Sequence, residues 1–160
     1  MLSKLRKRNE GFTIIEVLIV LAIAGLILLI VFLAVPALQR NAHNTSAKND
    51  VSGILGGVNE YVNNNNGSLP AGVSGSGNAL TIGTAASGIN TAAVKLGYYD
   101  AGNVTLVTTV GTAPTVGNVQ IVLKASCSGN APVVNSATTP RGYAAWFALE
   151  GGAVVCQQGS

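Results

Sequence analysis

From Val17 to Val35 the chain passes through nineteen consecutive residues that carry neither a charge nor a hydrogen-bonding side chain. As a helix, a run of that length is long enough to cross a hydrocarbon core of about 30 Å. A soluble core helix rarely reads this way, because one side of it normally meets polar partners. Whatever else the chain forms, it must give this segment an apolar environment.

The flanking charges give the segment a direction. Lys4, Arg6, Lys7 and Arg8 stand directly before it, whereas Arg40 and Lys48 after it are eight positions apart. The positive-inside bias places the N-terminus in the cytoplasm and the remainder outside. A cleaved secretory signal is the competing reading, but its apolar region is usually about 7 to 15 residues long and ends at a small-residue cleavage site. This run is longer and ends in Val35-Pro36-Ala37-Leu38-Gln39.

Glu16 interrupts the pattern at the head of the run, five residues after Gly11. A carboxylate in an apolar zone costs roughly 2.5 to 3.5 kcal/mol on insertion scales, so it needs a partner or access to the interface. One reading keeps Glu16 at the headgroup level, where the positive end of the helix dipole favours it. The other has cleavage after Gly11 create a new amine at Phe12 with which Glu16 pairs. The residues alone leave both open.

Taken together, the stretch GFTIIEVLIVLAIAGL resembles the N-terminal signature of type IV pilins and their relatives. That signature is a short basic leader ending in glycine, then Phe-Thr, two aliphatic residues, a glutamate and an aliphatic helix. The resemblance implies that a prepilin peptidase cuts between Gly11 and Phe12 and that the Phe12 amine is methylated. It also implies that an inner-membrane assembly platform takes up the single-pass precursor, and that the helix then packs at the centre of an extracellular filament. Glu16 would pair with the Phe12 amine of a neighbouring identical or related subunit and set the axial register. A charge buried among apolar helices is tolerated when it is paired in this way.

Pro36 falls three residues later than the usual helix proline of that family. Proline removes a backbone donor and crowds the preceding turn, so a kink is expected near Val35. The resemblance makes Gly25 and Pro36 the bounds of a segment that can lose helix in the assembled filament.

The formal charge of +3 belongs entirely to the leader; beyond Gly11, five basic side chains balance five acidic ones. Global electrostatics therefore gives no support for nucleic-acid binding. Roughly 100 residues after the helix suit one small domain, which buries a modest core and benefits from a staple. Cys127 and Cys156 are the only cysteines and both fall on the outer side. In an oxidising compartment a disulfide is the simplest assignment, with free thiols the alternative. The family often has a C-terminal disulfide loop there.

Beyond Pro36 the apolar residues become periodic. Val51, Ile54, Leu55, Val58, Tyr61 and Val62 recur at spacings of three and four, which predicts an amphipathic continuation of the helix. Asn41, Asn44, Lys48, Asp50, Asn59 and Glu60 are expected to face outward. Gly53, Gly56 and Gly57 weaken this part by up to about 1 kcal/mol each, and Asn63 to Asn66 with Gly67 end it. Ser68 to Ser87 reads as a linker-like connection. The remainder reads as strands. Val119 to Ala125 alternates, Val104 to Val110 is β-branched, and Tyr143 to Leu149 turns through Glu150-Gly151-Gly152 into Ala153 to Cys156.

The expected fold is therefore α+β, a long N-terminal helix packed on a small C-terminal antiparallel sheet. Its segments are a leader over 1–11, a membrane and filament-core helix over 12–38, an amphipathic continuation over 39–66 and a β-rich domain over 67–160.

No catalytic constellation is legible. His43, the single histidine, has no acidic neighbour before Asp50 and reads as a solvated helix residue. Asp100 and Glu150 sit beside glycine-containing turns, where surface positions are the default. Two cysteines and a distant histidine do not make a zinc site, and no cofactor is implied. Tyr98, Tyr99, Tyr143 and Trp146 lack interleaved basic residues and read as core or sheet surface. No reaction is therefore expected of the chain, and the resemblance to type IV pilins implies a structural filament subunit, for adhesion, motility or DNA uptake. A type II secretion pseudopilin and a monomeric signal-anchored binding domain are the alternatives.

Overall fold

A computed structural model describes residues 11–83 and 91–159. The expected leader lies outside the described residues apart from Gly11, and so does part of the Ser68 to Ser87 connection. Within the described residues the chain is α+β: one helix, α1 (Ile14–Asn64), followed by nine strands and a short 3-10 helix. It divides into two compact units at Gln39 and Arg40.

In the first unit, α1 is helical through both Gly25 and Pro36. Pro36 deprives one carbonyl of its donor, but its fixed φ suits a helix, and the turns on either side remain helical. The side chains of this part are exposed almost throughout, from Phe12 to Leu38. This part of α1 is long and apolar enough to cross a membrane, and none of it is buried.

The second unit contains the rest of α1 and all the strands. Val51, Ile54, Leu55, Val58 and Tyr61 are buried, and so follow the expected stripe. The helix stops where asparagine and glycine permit left-handed backbone: Asn66 and Gly67 have φ of 51° and 82°, and the Gly67 N–H donates to the Val62 carbonyl at 2.8 Å. Satisfying an orphan carbonyl in this way is a usual helix ending.

Strands β1 (Val73–Ser76), β2 (Ala79–Ile82) and β3 (Ala92–Lys95) form a three-stranded antiparallel sheet. The linker-like reading of this region is thereby corrected. The strands were hidden because each is only four residues long and β1 reads Val-Ser-Gly-Ser, with little apolar alternation to detect.

The second sheet has the order β4-β5-β8-β9, built from β4 (Val104–Val107), β5 (Val119–Leu123), β8 (Tyr143–Ala148) and β9 (Val154–Gly159). All its pairings are antiparallel except β4 with β5, which is parallel. Alternation within a strand reports which side is buried and not which way its neighbour runs, so this departure from an all-antiparallel sheet had no sequence signal. Strands β6 (Ala125–Ser128) and β7 (Ala131–Val134) pair as a separate hairpin.

One face of the second sheet presents Val119, Ile121, Tyr143, Ala145 and Phe147 to the apolar stripe of α1. The other face buries Val122 and Ala144 with Ala125, against Val134 and the two cysteines. Ala125 therefore does not share the Ile121 face as expected. Lys124 adopts a positive φ of 54°, which ends β5 and sends the chain into β6 on the opposite side.

Candidate functional site

The head of α1 is organised by Thr13 and Glu16. The Thr13 N–H and hydroxyl both donate to Glu16 Oε2, at 2.9 and 2.7 Å, while the Glu16 N–H points back to Thr13 Oγ1 at 3.4 Å. This reciprocal arrangement is a capping box, in which a threonine before the helix and a glutamate three residues on satisfy each other's backbone donors. Glu16 is thus engaged by its own chain at the N-terminus of the helix. Thr13 has no role in the sequence reading, although the Thr-x-x-Glu spacing that defines the box was available there.

Gly11 and Phe12 precede the box, and Phe12 is exposed. A Cβ built on Gly11 would meet nothing within 4 Å. Phe12, Glu16 and the apolar residues Val17, Val20 and Leu21 border one shallow hollow that is almost wholly apolar. Chemically, this offers a hydrogen-bonded anion beside a large exposed apolar surface.

Residues 6–32 match the prokaryotic N-terminal methylation motif. The chain carries a type IV prepilin-like signal. That signal indicates a pilin-like or pseudopilin protein, and with it, in general terms, pilin subunits and prepilin peptidase processing. It also suggests a structural role, and with the apolar helix it is consistent with a membrane-anchored precursor. No curated protein and no solved structure matches the chain.

A second polar cluster lies within the C-terminal unit. Asp50, expected outward, is buried, and its two carboxylate oxygens accept the backbone N–H groups of Gly97, Tyr98 and Tyr99 at 2.7 to 3.0 Å. Asn44, also expected outward, is partly buried and exchanges two hydrogen bonds with the Glu150 backbone. His43 Nδ1 lies 2.6 Å from Glu150 Oε1, and the Tyr98 hydroxyl donates to the same oxygen at 3.5 Å. His43 therefore has an acidic neighbour, brought from 107 residues away by the β8–β9 turn. This cluster fastens two loops to the side of α1.

Asp100 does not join Glu150; it caps the 3-10 helix at Ala101–Asn103 by accepting the Gly102 N–H at 2.8 Å. Tyr99, Tyr143 and Trp146 are buried, and Tyr98 packs edge-on against Tyr99. Burial pushes the hydroxyls of Tyr98, Tyr99 and Tyr143 above the usual phenol range; beyond burial, Glu150 raises Tyr98, and Tyr98 and Asp50 raise Tyr99. Cys127 and Cys156 are joined in a disulfide that ties the β6–β7 hairpin to β9. Among the described residues, no three His, Cys, Asp or Glu side chains gather as a metal site.

Proposed function

We propose that this protein is a structural subunit of a type IV pilus or a related filament and that it polymerises through its N-terminal helix. The observation that carries the reading is the methylation motif continuing into an apolar, exposed stretch, Phe12 to Leu38, whose one charge is Glu16. In this account the leader is removed between Gly11 and Phe12, and the Phe12 amine is methylated. The helix holds the subunit in the cytoplasmic membrane until an assembly platform extracts it. Inside the filament, Glu16 meets the Phe12 amine of a neighbour, and Gly25 to Pro36 is the stretch that can unwind. The filament serves adhesion, motility or DNA uptake at the cell surface.

A pseudopilin of a type II secretion system has the same N-terminal logic and is the second reading. The disulfide between Cys127 and Cys156 favours the pilin. Glu16→Leu tests the assembly role. It is expected to leave membrane insertion intact while abolishing sheared filaments, and wild-type filament yield from this variant would contradict the pairing.

A further inference from the structure

The sheet edges of the C-terminal unit are not equally protected. Strand β3 ends in Lys95, β7 contains Pro132, and β1 and β4 are only four residues long. Strand β9 has six residues, Val-Val-Cys-Gln-Gln-Gly, with neither charge nor proline, and lies at the end of its sheet. Natural proteins avoid such edges, because an open row of N–H and C=O groups accepts another strand. The Leu149 N–H donates to the Ala153 carbonyl, and the same register continues along β8. Alternation of the antiparallel ladder then turns the backbone groups of Val154, Cys156 and Gln158 outward.

A groove of about 560 Å³ lies beside the end of this edge. On the strand side it is lined by Gln157, Gln158 and Gly159 of β9, with Tyr143 of β8 beside them, so it opens at the last three residues of that edge. Its other wall is α1, with Ser52, Gly56, Asn59, Glu60 and Asn63. Asn63 Nδ2 donates to Asn59 Oδ1 at 2.6 Å and Gln157 Nε2 to Ser52 Oγ at 3.0 Å, which fixes amides on both walls. Gly56 is the informative residue. A mid-helix glycine costs about 1 kcal/mol relative to alanine, yet a Cβ at Gly56 would meet nothing within 4 Å. At Gly57, by contrast, a Cβ would collide with Val94 and Ile82. The fold has a use for Gly57 and none for Gly56, which faces the groove.

We propose that the groove binds an extended polypeptide segment that adds to β9 as a further strand. Backbone bonds to Gln158 and Cys156 supply affinity, and alternate side chains pass between the amides. A basic residue of the segment meets Glu60, which is exposed and makes no ion pair among the described residues. A glycan is disfavoured because its ring faces need an exposed aromatic, whereas Tyr143 in this wall is buried.

The test uses the full chain in detergent and a fluorescein-labelled, end-blocked heptapeptide that alternates threonine and valine and carries one lysine. Gln158→Pro removes an outward N–H that no ladder bond uses, and Gly56→Leu fills the groove from the helix side; melting curves establish that each variant is folded. The proposal expects a saturable anisotropy change, slowed amide exchange at Gln158 on binding, and about a tenfold or greater loss of affinity in each folded variant. Absence of peptide binding to the wild-type chain, undiminished binding in the folded variants, or binding of maltoheptaose in place of the peptide would overturn it.

Discussion

At the scale of single residues, Asp50 holds three backbone N–H groups of one loop in the C-terminal unit. Removing its carboxylate leaves the N–H groups of Gly97, Tyr98 and Tyr99 without their acceptor; that of Tyr99 is buried, while Gly97 and Tyr98 are at least partly open to water, and a buried group orphaned in this way costs about 1 to 3 kcal/mol. Asp50→Ala is therefore expected to destabilise the unit by about 1 to 3 kcal/mol in denaturant melts, with Asp50→Asn intermediate. Tyr99 makes the opposite prediction. Its hydroxyl is buried without a hydrogen-bond partner among the described residues, so Tyr99→Phe is expected to be neutral or to stabilise by about 1 kcal/mol. The same burial fixes the sign of the alkaline response. A phenol whose folded value lies above its unfolded value near 10 costs nothing below that pH, and stability falls as pH rises beyond it. Melting temperature is thus expected to decline above about pH 10, and less steeply in Tyr99→Phe. None of this was legible in the sequence, where Asp50 sits among solvent-facing helix positions; the loop that claims it lies 47 residues downstream.

At the scale of elements, the second half of α1 is read correctly from its apolar spacing, because a 3.6-residue period marks the buried face whatever packs on it. The same holds for Tyr143 to Leu149 and its glycine turn, where alternation and turn chemistry are both local. Local pattern carries no strand direction and cannot anticipate the positive φ of Lys124 that splits β5 from β6. Gly57 is likewise invisible as a packing residue until Val94 and Ile82 are seen against it. Gly57→Ala is expected to lower stability by about 1 to 3 kcal/mol through overpacking, despite alanine's better helix propensity. Gly53→Ala, where the nearest atom to a Cβ is 3.6 Å away, is expected to be neutral or stabilising, and paired thermal melts distinguish the two. The disulfide belongs to this scale as well. It closes a separation of 29 residues between the β6–β7 hairpin and β9, so reduction or the double Cys→Ser variant should cost about 3 to 4 kcal/mol in the chain-entropy model.

At the scale of the whole molecule, the two units divide the work differently. The segment up to Gln39 keeps its apolar side chains exposed and holds Glu16 in a capping box with Thr13. It is legible in sequence because hydropathy, leader charge and motif spacing are all local quantities. Gly11, Phe12 and Glu16 stand out there by motif spacing; the structure adds Thr13, whose N–H and hydroxyl satisfy the Glu16 carboxylate within its own chain. The unit from Arg40 onward stabilises itself with a buried core on one face of the sheet and a disulfide-linked hairpin on the other. Its edge and groove depend on residues from distant parts of the chain, so sequence pattern offered no route to them. The account of the molecule turns on processing between Gly11 and Phe12, and intact-mass and fragment-ion mass spectrometry of the chain in sheared surface filaments tests it most directly. The expected product begins at an N-methylated Phe12; a surface chain that retains Met1 to Gly11, or begins at an unmethylated residue elsewhere, would contradict it.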